Sequence, residues 1–110
     1  RLGVSMSLTT SITSTGDARR VSVAGEVDVS NASELREVID AVIVDGVSSV
    51  SVDVADVSYI DSTGIGVLVG AAHRAADAGV AFAVTNPQRN VSRILSMLGM
   101  DDELNVSTEE

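Results

Sequence analysis

The sequence predicts one α/β domain: a mixed, mainly parallel sheet of about five strands with helices mainly on one face. Segments whose apolar residues alternate with period two are separated by segments whose apolar residues follow the 3.6-residue helical period. Hydrophobic residues make up 45% of the chain, as a buried sheet requires. At 110 residues the chain is long enough for one core and too short for two.

Three segments predict helices, because each places apolar residues at i, i+3, i+4 and i+7, on one helical stripe. These stripes begin at Leu35, Ile65 and Val91. They divide the chain into units of the size expected for strand–helix–strand repeats, which favours right-handed parallel crossovers between the intervening strands.

The ends of the first and third helices carry boundary signals. Asn31, with Glu34 three residues later, predicts a capping pair at the start of the first helix. Asn86 followed by Pro87 predicts the N-cap and first residue of the third helix. Gly99 predicts its end.

Short valine-rich runs between the helices predict strands. They contain Val21 and Val23, then Val50, Val52 and Val54, and then Val80, Phe82 and Val84. Weaker candidates lie at residues 8–13 and 103–106, and the polar residues 14–17 suit an antiparallel hairpin between the first two strands. The alternate strand positions are small or polar, so helices are expected to cover mainly one face.

The charge balance limits the classes of partner. The formal net charge is −9, and the seven cationic side chains are all arginine. Phosphate contacts require clustered cations, so a nucleic-acid partner is disfavoured. Tyr59 and Phe82 are the only aromatic residues, too few to form base-stacking platforms. A basic protein partner fits this charge better.

The chain has no cysteine, which removes disulfides and thiolate chemistry and fits a reducing cytoplasm. No apolar run approaches the roughly 18 residues of a membrane span, and no signal peptide is visible, so we expect a cytoplasmic protein without membrane contact. One domain is expected over residues 7–106. Residues 1–6 are interpreted as a tag remnant or N-terminal extension, and residues 107–110 as a frayed tail.

The segment before and within the second predicted helix carries the strongest functional signal. Ser62 falls at the helix N-terminus, where unpaired N–H groups and the helix dipole favour an oxygen or a phosphate. Each helical glycine costs roughly 1 kcal/mol relative to alanine, so three glycines in this helix indicate close approach by another surface. One flank is nearly bare of long side chains. It contains Ser62, Gly66, Gly70 and Arg74, with Thr63 and Val67 beside them.

Simpler interpretations stay open on position alone. Ser62 can be only an N-cap, Asp61 only a loop acid near a helix start, and the glycines can pack against the sheet. The acids Asp53, Asp56 and Asp61 match no calcium-loop spacing, so we interpret them as surface charge and expect no metal.

Enzyme chemistry at Ser62 is disfavoured. The single histidine, His73, lies about 16 Å away along a continuous helix at 1.5 Å per residue, too far to act as a base. The sequence has no phosphate-binding loop and no lysine to complete one. We expect no catalytic residue and no cofactor, and only the α/β architecture would suggest an enzyme or nucleotide-binding domain.

The run from Asp61 to Gly70 resembles the Asp-Ser-Ser/Thr-Gly-Leu-Gly signature of the anti-sigma factor antagonists of the STAS family. Gly25-Glu26-Val27-Asp28 is similar to that family's segment before its first helix. Residues 86–99 are similar to its last helix. Together these stretches cover most of residues 8–106, and a departure is Ile65, where leucine is common.

The resemblance implies a STAS-like fold and a protein that binds an anti-sigma factor with serine kinase activity and thereby releases a sigma factor. It implies phosphorylation of Ser62, with Thr63 as the fallback acceptor, as the step that prevents binding, and a phosphatase that acts on phosphorylated Ser62. The expected partner-binding residues are Glu26, Asp28, Asp61, Ser62, Thr63, Gly66, Val67, Gly70 and Arg74.

Two further expectations accompany this interpretation. The protein is expected to be a monomer or a weak dimer. For Glu26 and Asp28, a solvated loop is the alternative to kinase contact. For the whole chain, the alternative is a non-catalytic structural or sensory STAS scaffold module in which Ser62 is not phosphorylated.

Overall fold

A computed structural model describes residues 8–108, which form one mixed sheet with three helices. The elements are β1 (Thr9–Thr15), β2 (Ala18–Val27), α1 (Ala32–Asp40), β3 (Ser49–Ile60), α2 (Ser62–Asp77), β4 (Ala81–Thr85) and α3 (Arg89–Met97). The strand order is β1-β2-β3-β4, with β1 antiparallel to β2 and the other pairs parallel. The predicted fold class is confirmed.

The fifth predicted strand is reduced to a single bridge. Residues 101–105 form turns, and Ser107 pairs with Thr85 at the outer edge of β4. The Ser107 N–H donates to the Val84 carbonyl at 3.1 Å, and the Ser107 carbonyl accepts from the Asn86 N–H at 2.8 Å. Ser107, assigned above to a frayed tail, therefore continues the sheet.

The core lies between one face of the sheet and the helices. Val21, Val52 and Val84 are register partners on neighbouring strands, so their side chains lie on the same face of the sheet. All three are fully buried. They pack in one cluster with fully buried helical side chains, which include Leu35, Ile39, Leu68 and Leu95. Burial of each large apolar side chain stabilises the fold by roughly 1.5–3 kcal/mol.

Strand β3 is longer than the period-two pattern predicts. The register between β2 and β3 shifts twice, and each shift inserts one extra residue into β3. The bulges keep Val54, Val57 and Ile60 facing the core although they are three residues apart. Residues 55–60, which follow the predicted run of Val50, Val52 and Val54, therefore extend the strand to Ile60.

The predicted start of α3 is wrong and its predicted end is right. The N-cap is Gln88, whereas Asn86 adopts a left-handed φ of 60° that a helix start does not use. Gly99 has a φ of 71°, and its N–H donates to the Ser96 carbonyl at 3.0 Å in the turn that closes α3. Among residues 8–108, no helix is long and apolar enough to cross a membrane.

Candidate functional site

The carboxyl ends of β2 and β3 lie side by side immediately before α1 and α2. Glu26 is the register partner of Tyr59, and Val27 is the partner of Ile60. One residue further on, the Asp61 N–H donates to the Val27 carbonyl at 3.1 Å. The loop that carries Glu26 and Asp28 therefore lies beside the N-terminus of α2, as parallel strands require.

Asp61, and not Ser62, is the N-cap of α2. Its Oδ1 accepts a hydrogen bond from the Gly64 N–H at 3.0 Å, and its carbonyl accepts from the Ile65 N–H. Ser62 is the first residue of the helix and is exposed. Within residues 8–108 its hydroxyl has no hydrogen-bond partner. The interpretation of Ser62 as only an N-cap is therefore wrong.

The position of Ser62 favours a negative group on its hydroxyl. The N–H groups of the first turn have no intrahelical acceptor, and Asp61 satisfies only that of Gly64. The positive end of the helix dipole lies at the same place. A phosphate on Ser62 would meet these N–H groups in water, so the free fold can hold it without rearrangement.

A buried asparagine fixes the acidic loop. The Asn31 Oδ1 accepts from the Asp28 N–H at 3.0 Å, and its Nδ2 donates to the Glu26 carbonyl at 2.8 Å. Asn31 is the N-cap of α1, as predicted, but its side chain makes no cap hydrogen bond. The predicted Asn31–Glu34 capping pair is therefore wrong, because the Asn31 side chain is used to hold the loop.

Two exposed hydrophobic residues at this edge were not predicted from the sequence. Val29 is 75% exposed in the loop after β2, and Tyr59 is 47% exposed at the end of β3. The sequence signal for Val29 is an isolated aliphatic residue between Asp28 and Ser30 in a polar loop. For Tyr59, the bulges in β3 conceal which face the ring occupies.

The three glycines of α2 have three different surroundings. A Cβ on Gly64 would lie 2.6 Å from Val27 Cγ1 and 2.7 Å from Ile60 Cγ1, so this glycine allows α2 to pack on its own sheet. A Cβ on Gly66 would meet nothing within 4 Å. At Gly70 it would lie 3.1 Å from a guanidinium nitrogen of Arg74. Only Gly66 leaves open space.

Arg74 is engaged within the protein. Its Nε donates to Asp40 Oδ1 at 2.9 Å, and its Nη2 lies 2.8 Å from the same oxygen. This ion pair joins the C-terminal halves of α1 and α2 and lays the Arg74 side chain over Gly70. Ser62, Thr63 and Gly66 are exposed and Val67 is half-buried, so the N-terminal half of the predicted flank is the accessible half.

Other candidate groups lie apart from Ser62. Helix α2 is continuous, and His73 Nε2 lies 3.0 Å from a Glu103 carboxylate oxygen instead of contacting Ser62. Asp53 pairs with Arg20 at 3.1 Å on the opposite face of the sheet. Within the described range, no three His, Cys, Asp or Glu side chains gather closely enough to hold a metal ion.

Comparison with known protein families matches residues 10–110 to the STAS domain. The anti-sigma-B factor antagonist of Bacillus subtilis (strain 168) is 32% identical over 90 residues, which cover 82% of this chain and 82% of that protein. The anti-sigma-B factor antagonist of Staphylococcus epidermidis is 32% identical over 91 residues, covering 83% and 84%.

Solved structures share the fold. An anti-sigma factor antagonist from Mycobacterium paratuberculosis superposes with a TM-score of 0.83 at 24% identity, covering 91% of this chain and 85% of that one. The unphosphorylated form of the antagonist SpoIIAA gives 0.78 at 17% identity, covering 93% and 89%. The phosphorylated form of SpoIIAA from Bacillus gives 0.72 at 16% identity, covering 93% and 92%.

Proposed function

The chain belongs to the STAS domain family, and from this premise we propose that it is an anti-sigma factor antagonist switched by phosphorylation of Ser62. Unphosphorylated protein binds an anti-sigma factor that is also a serine kinase, and a sigma factor is released. Phosphorylated protein does not bind. A phosphatase acting on Ser62 restores the binding form. The names of the relatives support the antagonist role.

The observation that carries the proposal is the free hydroxyl of Ser62. Asp61 caps α2, so Ser62 is not needed for helix stability and its side chain is exposed at the sheet edge. A kinase needs such a hydroxyl, unbonded and accessible. Thr63 is also exposed, but the resemblance to the family signature favours Ser62, directly after Asp61, as the acceptor.

The docking surface is proposed to be the edge around Ser62. It combines the acidic loop with the open N-terminal half of the α2 flank, and Val29 and Tyr59 add apolar contact area. Its residues are Glu26, Asp28, Asp61, Ser62, Thr63, Gly66 and Val67. Gly70 and Arg74, which the sequence also predicted as partner-binding residues, lie at the far end, where Arg74 covers Gly70 and pairs with Asp40. The carboxylates favour a basic partner surface.

The switch acts at the interface and leaves the fold unchanged. Phosphate adds about 1.5 to 2 negative charges, which water and the first-turn N–H groups stabilise in the free protein. Docking removes that water and places the phosphate beside the Asp61 carboxylate. Burying an unpaired charge is costly, so the complex is destabilised while the free domain is not.

Phosphate mapping tests the proposal. The protein is incubated with ATP and each candidate anti-sigma kinase, and the modified residue is identified by mass spectrometry. We expect one phosphate, on Ser62. Ser62→Ala should abolish labelling, whereas the matched Thr63→Ala variant should retain it.

Two outcomes would contradict this assignment. Phosphate on Thr63 in the Ser62→Ala variant would move the acceptor by one residue. Absence of phosphate from the chain with every candidate kinase, under conditions in which each kinase labels its own partner, would favour the non-catalytic scaffold module in which Ser62 is not phosphorylated.

A further inference from the structure

The β4 side of the sheet is covered by the chain itself. Ser107 forms a parallel bridge to Thr85. Nearer the middle of β4, the Leu104 carbonyl accepts from the Val84 N–H at 3.0 Å, and Asn105 Nδ2 donates to the Phe82 carbonyl at 2.8 Å. These contacts occupy backbone groups that an edge strand would otherwise present to another protein.

The part of β3 that extends beyond β4 is covered as well. Strand β4 pairs with β3 only as far as Asp53. Beyond that point, Gln88 Nε2 donates to the Ala55 carbonyl at 2.9 Å, and Asn90 Nδ2 donates to the Ser58 carbonyl at 2.8 Å. Side-chain amides at the start of α3 thus take the place of a neighbouring strand.

No part of the described chain, residues 8–108, covers strand β1 in this way. Its inner edge pairs with β2 through seven register partners, and no described strand lies on its outer edge. All seven of its residues are exposed. The strand contains no charge and no proline, which are the usual means by which proteins prevent edge pairing. Near its centre, Ile12 is 45% exposed.

We propose that β1 pairs with β1 of a second copy of this chain, antiparallel and with the twofold axis at Ile12. Two copies each carrying a net charge of −9 repel one another, and repulsion is least where the contact itself is uncharged. Every β1 residue except Ile12 is a serine or threonine, so this register places hydroxyl side chains opposite hydroxyl side chains, which is a favourable cross-strand pair.

In this register the exposed Ile12 also gains a hydrophobic contact. Ile12 lies opposite Val21, on the face of the sheet that the helices cover. Across the twofold axis it meets its own copy, with Cβ atoms about 4.5–5.5 Å apart, so two exposed aliphatic side chains shield each other from water. The sheet then continues through eight strands, four from each copy.

This dimer leaves the Ser62 edge free. The twofold axis reverses strand direction, so the carboxyl ends of β2 and β3 in the two copies point in opposite directions. Each copy can bind a partner at its own edge. The inference does not depend on the proposed function, because its test needs neither a kinase nor a phosphate.

The experiment is sedimentation equilibrium of the full chain at concentrations up to about 1 mM, since a seven-residue ladder is a small interface and a weak one. We expect a monomer–dimer equilibrium. Ile12→Lys should shift the dissociation constant at least about tenfold toward monomer, because two like charges then face each other. Val44→Lys is the matched control: Val44 is 49% exposed, lies in the turns between α1 and β3 instead of on β1, and undergoes the same change of charge.

Both lysine variants are one charge less negative than the parent chain, so general repulsion falls in each. Loss of the dimer in Ile12→Lys alone therefore reports a local contact. A monomer at every concentration, or a dimer that Ile12→Lys leaves intact, would overturn the proposal and leave the edge to another protein.

A charge pair tests the register. The Ile12→Lys and Ile12→Glu variants should each dimerise more weakly than the parent chain, and an equimolar mixture should regain association, because unlike charges then meet across the axis. Circular dichroism of each variant checks that the fold is retained. A mixture that associates no better than its components would contradict a twofold axis at Ile12.

Discussion

The two halves of the α2 flank differ in what covers them. At the N-terminal half, Ser62 and Gly66 face open space. At the C-terminal half, Arg74 lies over Gly70 and pairs with Asp40 of α1. The sequence places all four flank residues on one line along the helix, so it predicts a single surface. The structure divides that line into an accessible half and a half that the protein already uses.

The two halves show that a glycine on a helix surface can have three different structural roles. A glycine can allow the helix to contact its own sheet, as Gly64 does, or leave room for a neighbouring side chain, as Gly70 does, or remain open, as Gly66 does. Only the open case offers a surface to another protein. Substitutions at the three glycines therefore separate the two halves experimentally.

The largest effect is expected at Gly64. The added methyl group of Gly64→Ala collides with Val27 and Ile60 in the core, and overpacking should lower the free energy of unfolding by about 1–3 kcal/mol. Denaturant unfolding measures it. Gly66→Ala is the matched control and should raise stability by up to about 1 kcal/mol, since only helix propensity changes there. Equal effects at the two positions would contradict the packing described for Gly64.

A smaller effect, on binding alone, is expected at Gly66. Gly66→Gln places a long side chain on the accessible half, about 6 Å along the helix from Ser62, and should weaken binding to the anti-sigma kinase at least tenfold, or about 1.4 kcal/mol. Thermal unfolding should show equal or greater stability. Titration calorimetry measures the binding, and unchanged affinity in a folded variant would exclude Gly66 from the docking surface.

Gly70→Gln makes the same substitution in the C-terminal half of the α2 flank and is compared with Gly66→Gln. The new side chain displaces Arg74, so the gain in helix propensity and the loss of the ion pair nearly cancel, and stability should change by less than about 1 kcal/mol. Because Gly70 lies about 12 Å from Ser62 along the helix, binding should weaken less than in Gly66→Gln. An equal or larger loss would show that both halves dock.

The smallest effect is expected for the ion pair itself. Arg74 and Asp40 are both more than one-third exposed, and such pairs contribute about 0–1 kcal/mol. Arg74→Ala and Asp40→Ala should each lower stability within that range, and the double variant should cost less than the sum of the two. Strict additivity would mean that the contact contributes nothing in solution.

Features set by local pattern were predictable from the sequence. The three helical stripes were found, and Gly99 marked the end of α3 because a left-handed residue closes that helix. Asn86 and Pro87 predicted the wrong start for α3, because the hydrogen bond from the Asn86 N–H to the Ser107 carbonyl holds Asn86 outside the helix. The extension of β3 was missed because two bulges break its period of two.

The site was predictable where it follows from strand order and motif, and not where it depends on distant partners. Parallel strands bring the loop that follows Glu26 beside the N-terminus of α2, and the signature resemblance predicts Ser62 as the phosphate acceptor. The pairing of Arg74 with Asp40 spans 34 residues and leaves no local signal. The N-cap is Asp61 and not Ser62, so the helix begins one residue away from the predicted position. The spacing of apolar residues does not locate a helix end to within one residue.

We propose that phosphate on Ser62 prevents binding without changing the fold. The direct measurement is the affinity of fully phosphorylated and unphosphorylated protein for the same anti-sigma kinase, with Ser62→Ala carried through the same kinase treatment as control. We expect phosphorylation to weaken binding at least a hundredfold, or about 2.8 kcal/mol, while thermal stability and the binding of Ser62→Ala are unaffected. Equal affinity of the two forms, or loss of binding that accompanies unfolding, would contradict it.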